Sequence, residues 1–341
     1  MLGKDIGIDL GTANVVIYVK GSGVVLDEPS VVAIDSMTKR VLAVGEEARR
    51  MVGRTPGNIV AIRPLREGVI ADFDITEAML NHFVKKIGVK GFMARPRILI
   101  CTPTNITSVE QKAIREAAQR CGAREVFLEE EPKVAAVGAG MDIFQPYGNM
   151  VVDMGGGTTD VAVLSMGDIV TASSIKMAGD KCDVAIMKYI KDKYKLLIGE
   201  RTAEDIKIQI GTVFPGSRKD EIDIRGRDMV TGLPQTLNVT SAEICEALQE
   251  VAQAIVIASK NVLERTPPEL SADIIDHGVM LTGGGALLHG LDRLLAEELK
   301  VPVMIADNPM ACVAIGTGIM LENLDKSPQH SGQKGRKKIF S

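Results

Sequence analysis

A short pattern that occurs twice limits the possible folds of this chain more than any other feature of its sequence. Residues 7–17 read Gly-Ile-Asp-Leu-Gly-Thr-Ala-Asn-Val-Val-Ile, and residues 151–163 read Val-Val-Asp-Met-Gly-Gly-Gly-Thr-Thr-Asp-Val-Ala-Val. Each copy predicts a strand that ends in an aspartate, a Gly/Thr turn, and a returning strand followed by a glycine turn at Gly21 or Gly167. Because the copies open the two halves of a chain of 341 residues, they indicate a duplicated domain.

The remaining hydrophobic pattern mixes short strands with helices. Further β-rich runs occupy residues 24–26, 31–34, 41–44, 97–101, 126–128 and 278–281. Helices are predicted at 76–86 and 286–299, and Leu287 is expected on the apolar side of the helix at 286–299. Two further helices are predicted to begin at the capping boxes at 107–110 and 240–243. This order predicts an α/β protein with a mixed central sheet in each half.

Three glycine-rich turns follow predicted strands, at residues 9–12, 153–159 and 282–285. Glycine lets backbone N–H groups approach an anion closely, so each turn suits a phosphate group. The sequence has neither a GxxxxGK[ST] nor a GxGxxG motif, which disfavours Walker-type and Rossmann nucleotide sites.

Two Asp-X-Gly hairpins that face each other can clamp a triphosphate from both sides. Asp9 and Asp153 would then hold a hydrated Mg²⁺ through water, since this ion takes one or two carboxylates and keeps several waters. The acidic run 129–131 precedes Pro132 and a helical stretch of small residues. We expect its last carboxylate, Glu131, to point into the cleft and orient the water that attacks the terminal phosphate.

Composition and charge argue against other classes of protein. The formal net charge is −4, aromatic residues make up 3% and Trp is absent, so neither the charge nor the stacking platforms of a nucleic-acid-binding protein are expected. The five cysteines form no CxxC pair, which is typical of reduced thiols in a cytosolic chain. Charged residues interrupt the N-terminal apolar stretch, and no apolar run approaches the roughly 20 residues of a membrane span.

Together these motifs resemble the actin/sugar-kinase/heat-shock-chaperone ATPase superfamily and, within it, the MreB family of bacterial actins, most closely its Mbl branch. Residues 9–14 and 153–160 match the two phosphate motifs of the superfamily. The segments that resemble MreB proteins in particular are 53–58, 68–72, 129–132, 199–204 and 281–286. The resemblance runs from about residue 5 to residue 322. It implies a two-lobed actin-like ATPase fold with duplicated mixed-sheet domains and a nucleotide cleft between them.

The resemblance also assigns roles to individual residues. Glu131 and Thr158 match the positions that handle the hydrolytic water, and ATP or ADP with Mg²⁺ would be the cofactors. The residues implied to bind the nucleotide are Thr12, Ala13, Asn14, Gly156, Gly157, Thr158, Glu204, Asp205, Ile206, Lys207, Gly284, Gly285, Ala286 and Leu287.

The expected domain organisation follows from the same fold. Residues 1–145 and a return helix near 312–325 would form the first lobe, with a small inserted subdomain near 33–70. Residues 146–311 would form the second lobe, with an insert near 182–242, and 326–341 would be a disordered basic tail.

A basic-rimmed apolar loop predicts a membrane contact. Phe92 and Met93 lie between Lys85, Lys86 and Lys90 on one side and Arg95 and Arg97 on the other, which suits interfacial insertion. The alternative is that both side chains pack on the core. The resemblance favours insertion at the inner face of the cytoplasmic membrane. It also implies paired filaments, and it implies wall-elongation membrane proteins of the MreC, MreD, RodZ and RodA type as partners. The net charge of −4 argues against nucleic acid as a partner.

The expected function is therefore an ATP-dependent filament that organises lateral wall synthesis and maintains rod shape. Three alternatives stay open at this point. A small-molecule kinase of the superfamily would share both hairpins but needs a catalytic base that we cannot assign. A chaperone-type ATPase needs a separate peptide-binding domain, and a non-enzymatic scaffold would not need Asp9, Glu131 and Asp153.

Overall fold

The computed structural model describes residues 5–88, 95–104 and 106–324. The expectations for Phe92, Met93 and the tail 326–341 lie outside these residues. The first half contains strands β1 (Ile6–Leu10), β2 (Asn14–Val19), β3 (Gly23–Pro29), β4 (Val32–Asp35), β5 (Val41–Val44), β6 (Ile59–Ile62), β7 (Leu65–Arg66), β8 (Val69–Ile70), β9 (Arg97–Thr102) and β10 (Glu125–Glu130), and helices α1 (Glu46–Arg49), α2 (Phe73–Lys86), α3 (Ser108–Arg120) and α4 (Glu131–Gly138).

The second half contains a comparable set of elements. Its strands are β11 (Asn149–Met154), β12 (Thr159–Ser165), β13 (Asp168–Ile175), β14 (Leu196–Leu197), β15 (Glu221–Asp228), β16 (Pro234–Thr240), β17 (Val279–Thr282) and β18 (Val303–Ile305). Its helices are α5 (Gly179–Tyr194), α6 (Glu200–Ile210), α7 (Ser241–Arg265), α8 (Pro268–His277), α9 (Leu291–Leu299) and α10 (Cys312–Leu324), with 3₁₀ turns at Gly284–Leu287 and Pro309–Ala311.

Each half is built on a five-stranded mixed sheet, and the two sheets have the same strand order. The first runs β3-β2-β1-β9-β10 and the second runs β13-β12-β11-β17-β18. In both, the first three strands form an antiparallel meander and the last two join in parallel. The duplication predicted from the sequence is therefore confirmed, together with the α/β class.

The helices α4 and α10 cross between the two sheets, and each covers the sheet of the opposite half. The buried side chains of α4 pack with Val151, Ala162 and Leu164 of the second sheet, whereas α10 lies against β1, β2 and β9. Glycines permit this close crossing. A Cβ on Gly138 would lie 1.8 Å from the carbonyl oxygen of Cys312, and one on Gly316 would lie 2.0 Å from that of Val134.

Two smaller sheets lie within the predicted inserts. One has the order β5-β4-β6 and is followed by the hairpin of β7 and β8, and the other has the order β14-β15-β16. Both predicted capping boxes are present, at Thr107 and at Thr240, and the helix that follows the second one, α7, buries an apolar face from Ile244 to Val262.

The helices differ from the sequence prediction in two places. The helix predicted at 286–299 is interrupted, because Gly290 adopts a left-handed backbone with φ of 82° and α9 begins only at Leu291. Leu287 consequently lies in the preceding 3₁₀ turn with 59% of its surface exposed, not on the apolar side of the helix. The second difference is α8, which the sequence analysis does not predict and which begins at Pro268, a residue type that is favoured in the first turn of a helix.

Candidate functional site

The two aspartate-tipped turns lie in contact with each other. A Cβ on Gly156 would lie 2.7 Å from the Cβ of Ala13, and a Cβ on Gly157 would lie 2.5 Å from Oγ1 of Thr12. Any larger residue at either glycine would push the turns apart. The absence of side chains at these positions therefore lets the backbones of the two halves meet, with N–H groups available to an anion.

A cavity of about 520 Å³ opens where the turns meet, within the usual range for small-molecule sites. Most of the residues predicted for the site share its lining. They are Asp9, Thr12, Ala13, Asn14, Glu131, Asp153, Gly156, Gly157, Thr158, Glu204, Lys207, Gly284, Gly285 and Leu287. The three predicted turns are thus brought to one place although they are far apart in the sequence.

Three predicted residues do not line this cavity. Asp205 is exposed and Ile206 is fully buried in the core of the second half. The reason is helical spacing: on α6 the residues that share the cavity face are Glu204, Lys207 and Ile208, at i, i+3 and i+4. Ala286 is 1% exposed and packs into the core, while the neighbouring Leu287 faces the cavity.

The carboxyl groups of Asp9 and Asp153 lie close together in the cavity lining. Asp9 is only partly buried, yet desolvation and the nearby charge of Asp153 raise its pKa to about 8. Asp153 is buried, accepts a hydrogen bond of 2.8 Å from Oγ1 of Thr282, and has its pKa raised by burial to about 7. A divalent cation would relieve this crowding of acids, so the two carboxyls fit a hydrated Mg²⁺.

Glu131 is the first residue of α4 and, like Thr158, it lines the cavity. Burial raises the pKa of Glu131 well above its usual value, and the charges of Asp160, Asp9 and Asp153 act in the same direction. A raised pKa makes the Glu131 carboxylate a stronger base than an exposed glutamate, which suits acceptance of a proton from a water.

Asp160 is fully buried behind the cavity lining, and sequence reasoning did not assign it. It lies directly opposite Asp153 in the antiparallel register of β11 and β12, which places two acids on the same face. Its Oδ1 accepts hydrogen bonds from the backbone N–H and the hydroxyl of Thr104, each 3.3 Å long, so it also joins the two halves. The period-two alternation from Thr158 to Asp160 was the available signal.

Ion pairs across the cleft were also missed. Arg49 lies 2.9 Å from Glu204, and Arg63 lies 2.9 Å from Asp180, so the small sheet region of the first half is joined to α5 and α6 of the second. All four residues line the cavity. No sequence signal pairs an arginine with an acid more than a hundred residues away without knowledge of the fold.

The hairpin between β7 and β8 contacts both phosphate turns. The backbone N–H of Gly68 donates to Oγ1 of Thr12 at 3.2 Å, and a Cβ on Gly157 would lie 3.0 Å from the backbone nitrogen of Glu67. Together the lining offers backbone donors, hydroxyls, paired acids and a cation at Lys207. Such a set can bind a polyphosphate and place a water beside its terminal phosphorus.

Comparisons with known proteins agree with this geometry. The family model described as MreB/Mbl protein matches residues 3–329. The cell shape-determining protein Mbl of Bacillus cereus is 76% identical over 97% of this chain and 99% of its own length. The resemblance inferred from the motifs, including that to Mbl, is therefore confirmed.

Solved structures share the fold. The crystal structure of MreB5 of Spiroplasma citri bound to AMPPNP has a TM-score of 0.92 and 39% identity, covering 96% of this chain and 99% of that one. The MamK double helical filament has a TM-score of 0.81 with 20% identity, covering 94% and 98%, which supports the fold alone. The duplicated sheets, the facing aspartate turns and these similarities show that the chain belongs to the MreB/Mbl family of actin-like proteins.

Proposed function

We propose that this protein binds ATP in the cleft and assembles into membrane-associated filaments that organise lateral wall synthesis and maintain rod shape. The observation that carries this proposal is the contact between the turns at 9–14 and 153–159 over one shared cavity. Two relatives support it: MreB5 of Spiroplasma citri was solved with AMPPNP, and the Bacillus cereus Mbl is named cell shape-determining.

In this proposal the two turns hold the phosphates from opposite sides. Thr12, Ala13 and Asn14 contact them from the first half, and Gly156, Gly157 and Thr158 contact them from the second. Glu204, Lys207 and the loop at 284–287 line the space left for the nucleoside. Asp9 and Asp153 would hold Mg²⁺ through its waters, and the bound ion supplies neutralisation of phosphate charge.

The proposed hydrolysis is slow and coupled to filament assembly. Glu131 orients the attacking water and accepts its proton, and the hydroxyl of Thr158 fixes the position of that water. Both side chains line the cavity at the junction of the two halves. A change in lobe closure on loss of the terminal phosphate would alter subunit contacts, which is a hinge-type switch.

The proposal also includes self-association into filaments and contact with the membrane. The actin-like fold is shared with a protein solved as a double helical filament. No helix in the described part of the chain combines the length and apolarity of a membrane span. The basic-rimmed pair Phe92 and Met93 would attach filaments to the inner face of the membrane, where MreC-, MreD-, RodZ- and RodA-type proteins would be the partners.

One experiment tests the whole proposal. Purified protein is incubated with anionic liposomes with ATP, with ADP or without nucleotide, and then examined by pelleting and electron microscopy while phosphate release is measured. We expect filaments on the liposomes and slow phosphate release with ATP. A protein that binds no ATP, or binds it and phosphorylates a small sugar instead of assembling, would overturn the proposal in favour of a kinase.

A further inference from the structure

His289 is a cavity residue with no role in the proposal so far. It directly follows Leu288 in the loop that closes the cavity, and its side chain is half-buried. Its backbone pairs with that of Thr212, and the N–H of Val213 donates to the carbonyl of His289 at 3.0 Å. Two separate loops of the second half therefore fix the position of this imidazole.

His289 lies where the cavity lining reaches the end of α6, and we take this part of the cavity as the space for the nucleobase. The phosphate turns lie at one side, and α6 lines the cavity from Glu204 through Lys207 to Ile208. Lys207 stays close to the second turn, since its Nζ donates to the carbonyl of Gly179 at 3.1 Å. The cavity lining continues past the end of α6 at Gly211, next to the Thr212–His289 pair.

One edge of the imidazole is held by two hydroxyl groups. Nδ1 lies 3.1 Å from Oγ1 of Thr212 and 3.3 Å from Oγ of Ser217. Each hydroxyl has a carbonyl within reach for its own proton: Ser217 donates to Phe214 at 2.6 Å, and Thr212 donates to the carbonyl of His289 at 3.1 Å. Both oxygens are then acceptors toward the ring, so Nδ1 carries the proton and Nε2 keeps a free lone pair.

We propose that Nε2 of His289 accepts a hydrogen bond from the exocyclic 6-amino group of adenine and so selects adenine nucleotides. This inference rests on the proposed nucleotide site and adds its base specificity. Adenine presents a donor at position 6, whereas hypoxanthine and guanine present a carbonyl oxygen there. If a carbonyl oxygen at position 6 faces Nε2 of His289, two acceptors meet, so neither is hydrogen-bonded and they repel each other. In a half-buried site this cost gives a preference of about tenfold for adenine over hypoxanthine or guanine.

Affinities for ATP, ITP and GTP, measured by calorimetry on the full chain with Mg²⁺, test the idea. ITP lacks the 2-amino group of GTP, so the ratio of ITP to ATP dissociation constants isolates position 6. We expect a ratio of about ten in the natural protein. In His289→Gln, whose amide can present either a donor or an acceptor, the ratio should approach one. In His289→Arg, which has only donors, it should fall below one.

Two further variants separate base selection from a structural role. Thr212→Val removes one acceptor of Nδ1, lets the proton move to Nε2, and should lower the ratio while His289 is kept. Leu287→Ala trims an apolar contact common to all purines, so it should weaken ATP and ITP by the same factor. Equal affinity of the natural protein for ATP and ITP, or an unchanged ratio in His289→Gln, overturns this inference. Failure to bind any of the three overturns the proposed function instead.

Discussion

Asp9 combines a cleft position with an unusual affinity for protons. Its pKa is about 8 in the folded chain, against an ordinary value of 3.8. Above about pH 4 the unfolded chain releases this proton while the folded chain keeps it, so the folded chain binds more protons. Stability must therefore fall as pH rises through this window, by up to about 1.4 kcal/mol per pH unit for this carboxyl.

The first prediction follows from that sign. In Asp9→Asn the melting temperature of the nucleotide-free protein should decline less between about pH 5 and pH 8 than in the natural protein. Differential scanning calorimetry across this range measures the effect. Asp192→Asn, at an exposed position on α5, is the matched control and should leave the slope unchanged. Parallel slopes for Asp9→Asn and the natural protein would contradict the prediction.

A second prediction concerns Glu131. Glu131→Ala should keep ATP bound but slow phosphate release by about 100-fold or more, since a positioned general base contributes at least that much. Single-turnover phosphate release, with ATP affinity measured in parallel, checks both parts. The neighbouring Glu129, which pairs with Lys133 at 3.5 Å, provides the control Glu129→Ala. Normal turnover in Glu131→Ala would assign the water-handling role to another residue.

At the scale of elements, the hairpin of β7 and β8 stores backbone strain beside the cleft. Glu67 and Gly68 both have positive φ, 51° and 80°, as a two-residue hairpin turn requires. Such a backbone is unfavourable for glutamate, yet this side chain reaches across to Lys176 at 2.9 Å and Lys181 at 3.5 Å. The hairpin therefore links the second half to the phosphate turn at Thr12.

The third prediction tests this link. Glu67→Gln should speed nucleotide release by up to about fivefold, because partly exposed ion pairs contribute at most about 1 kcal/mol. Added salt should bring the natural protein toward the variant. Stopped-flow release of a fluorescent ATP analogue gives the rates. Glu298→Gln breaks the pair with Lys260 within the second half and should not change them.

The crossing of α4 and α10 yields the fourth prediction. In Gly316→Ala the new methyl carbon would lie 2.0 Å from the carbonyl oxygen of Val134, so one of the helices must shift. We expect a loss of about 2 kcal/mol or more in the free energy of unfolding, measured with urea. Gly57→Ala meets no atom within 4 Å and is the control. A stability loss equal to that of the control would mean that the crossing tolerates a methyl group.

The sequence predicts an element well when the pattern that specifies it lies within a short stretch of the chain. The capping boxes at Thr107 and Thr240 and the alternation around Asp9 and Asp153 are local, and the corresponding elements are confirmed. The pairings of Arg49, Arg63 and Glu67 depend on the packing of one half against the other. The family resemblance implies continuous stretches that include Asp205, Ile206 and Ala286, whereas a helix or turn presents only some of its residues to one face.

At the scale of the whole molecule, the fifth prediction concerns membrane attachment. Replacing Phe92 and Met93 together by Asp should abolish binding to anionic liposomes, since apolar insertion is lost and the added charge is repelled. Nucleotide affinity should be unchanged because the double substitution leaves all the predicted nucleotide-binding residues in place. Liposome flotation and calorimetry measure the two properties. Unchanged flotation would place the membrane contact elsewhere in the chain.

The exchange of covering helices between the two sheets has a consequence for biosynthesis. Strands β1 to β3 leave the ribosome early, but α10, which packs on their sheet, begins only at Cys312. Until residues 312–324 are translated, the face of the sheet that α10 covers lacks this permanent cover, and it is apolar, since Leu99 and Cys101 on this face are buried with Val313 and Leu321 of α10. This surface of the nascent protein must therefore be shielded until α10 has been synthesised, so the late stage of synthesis carries the greatest risk of aggregation.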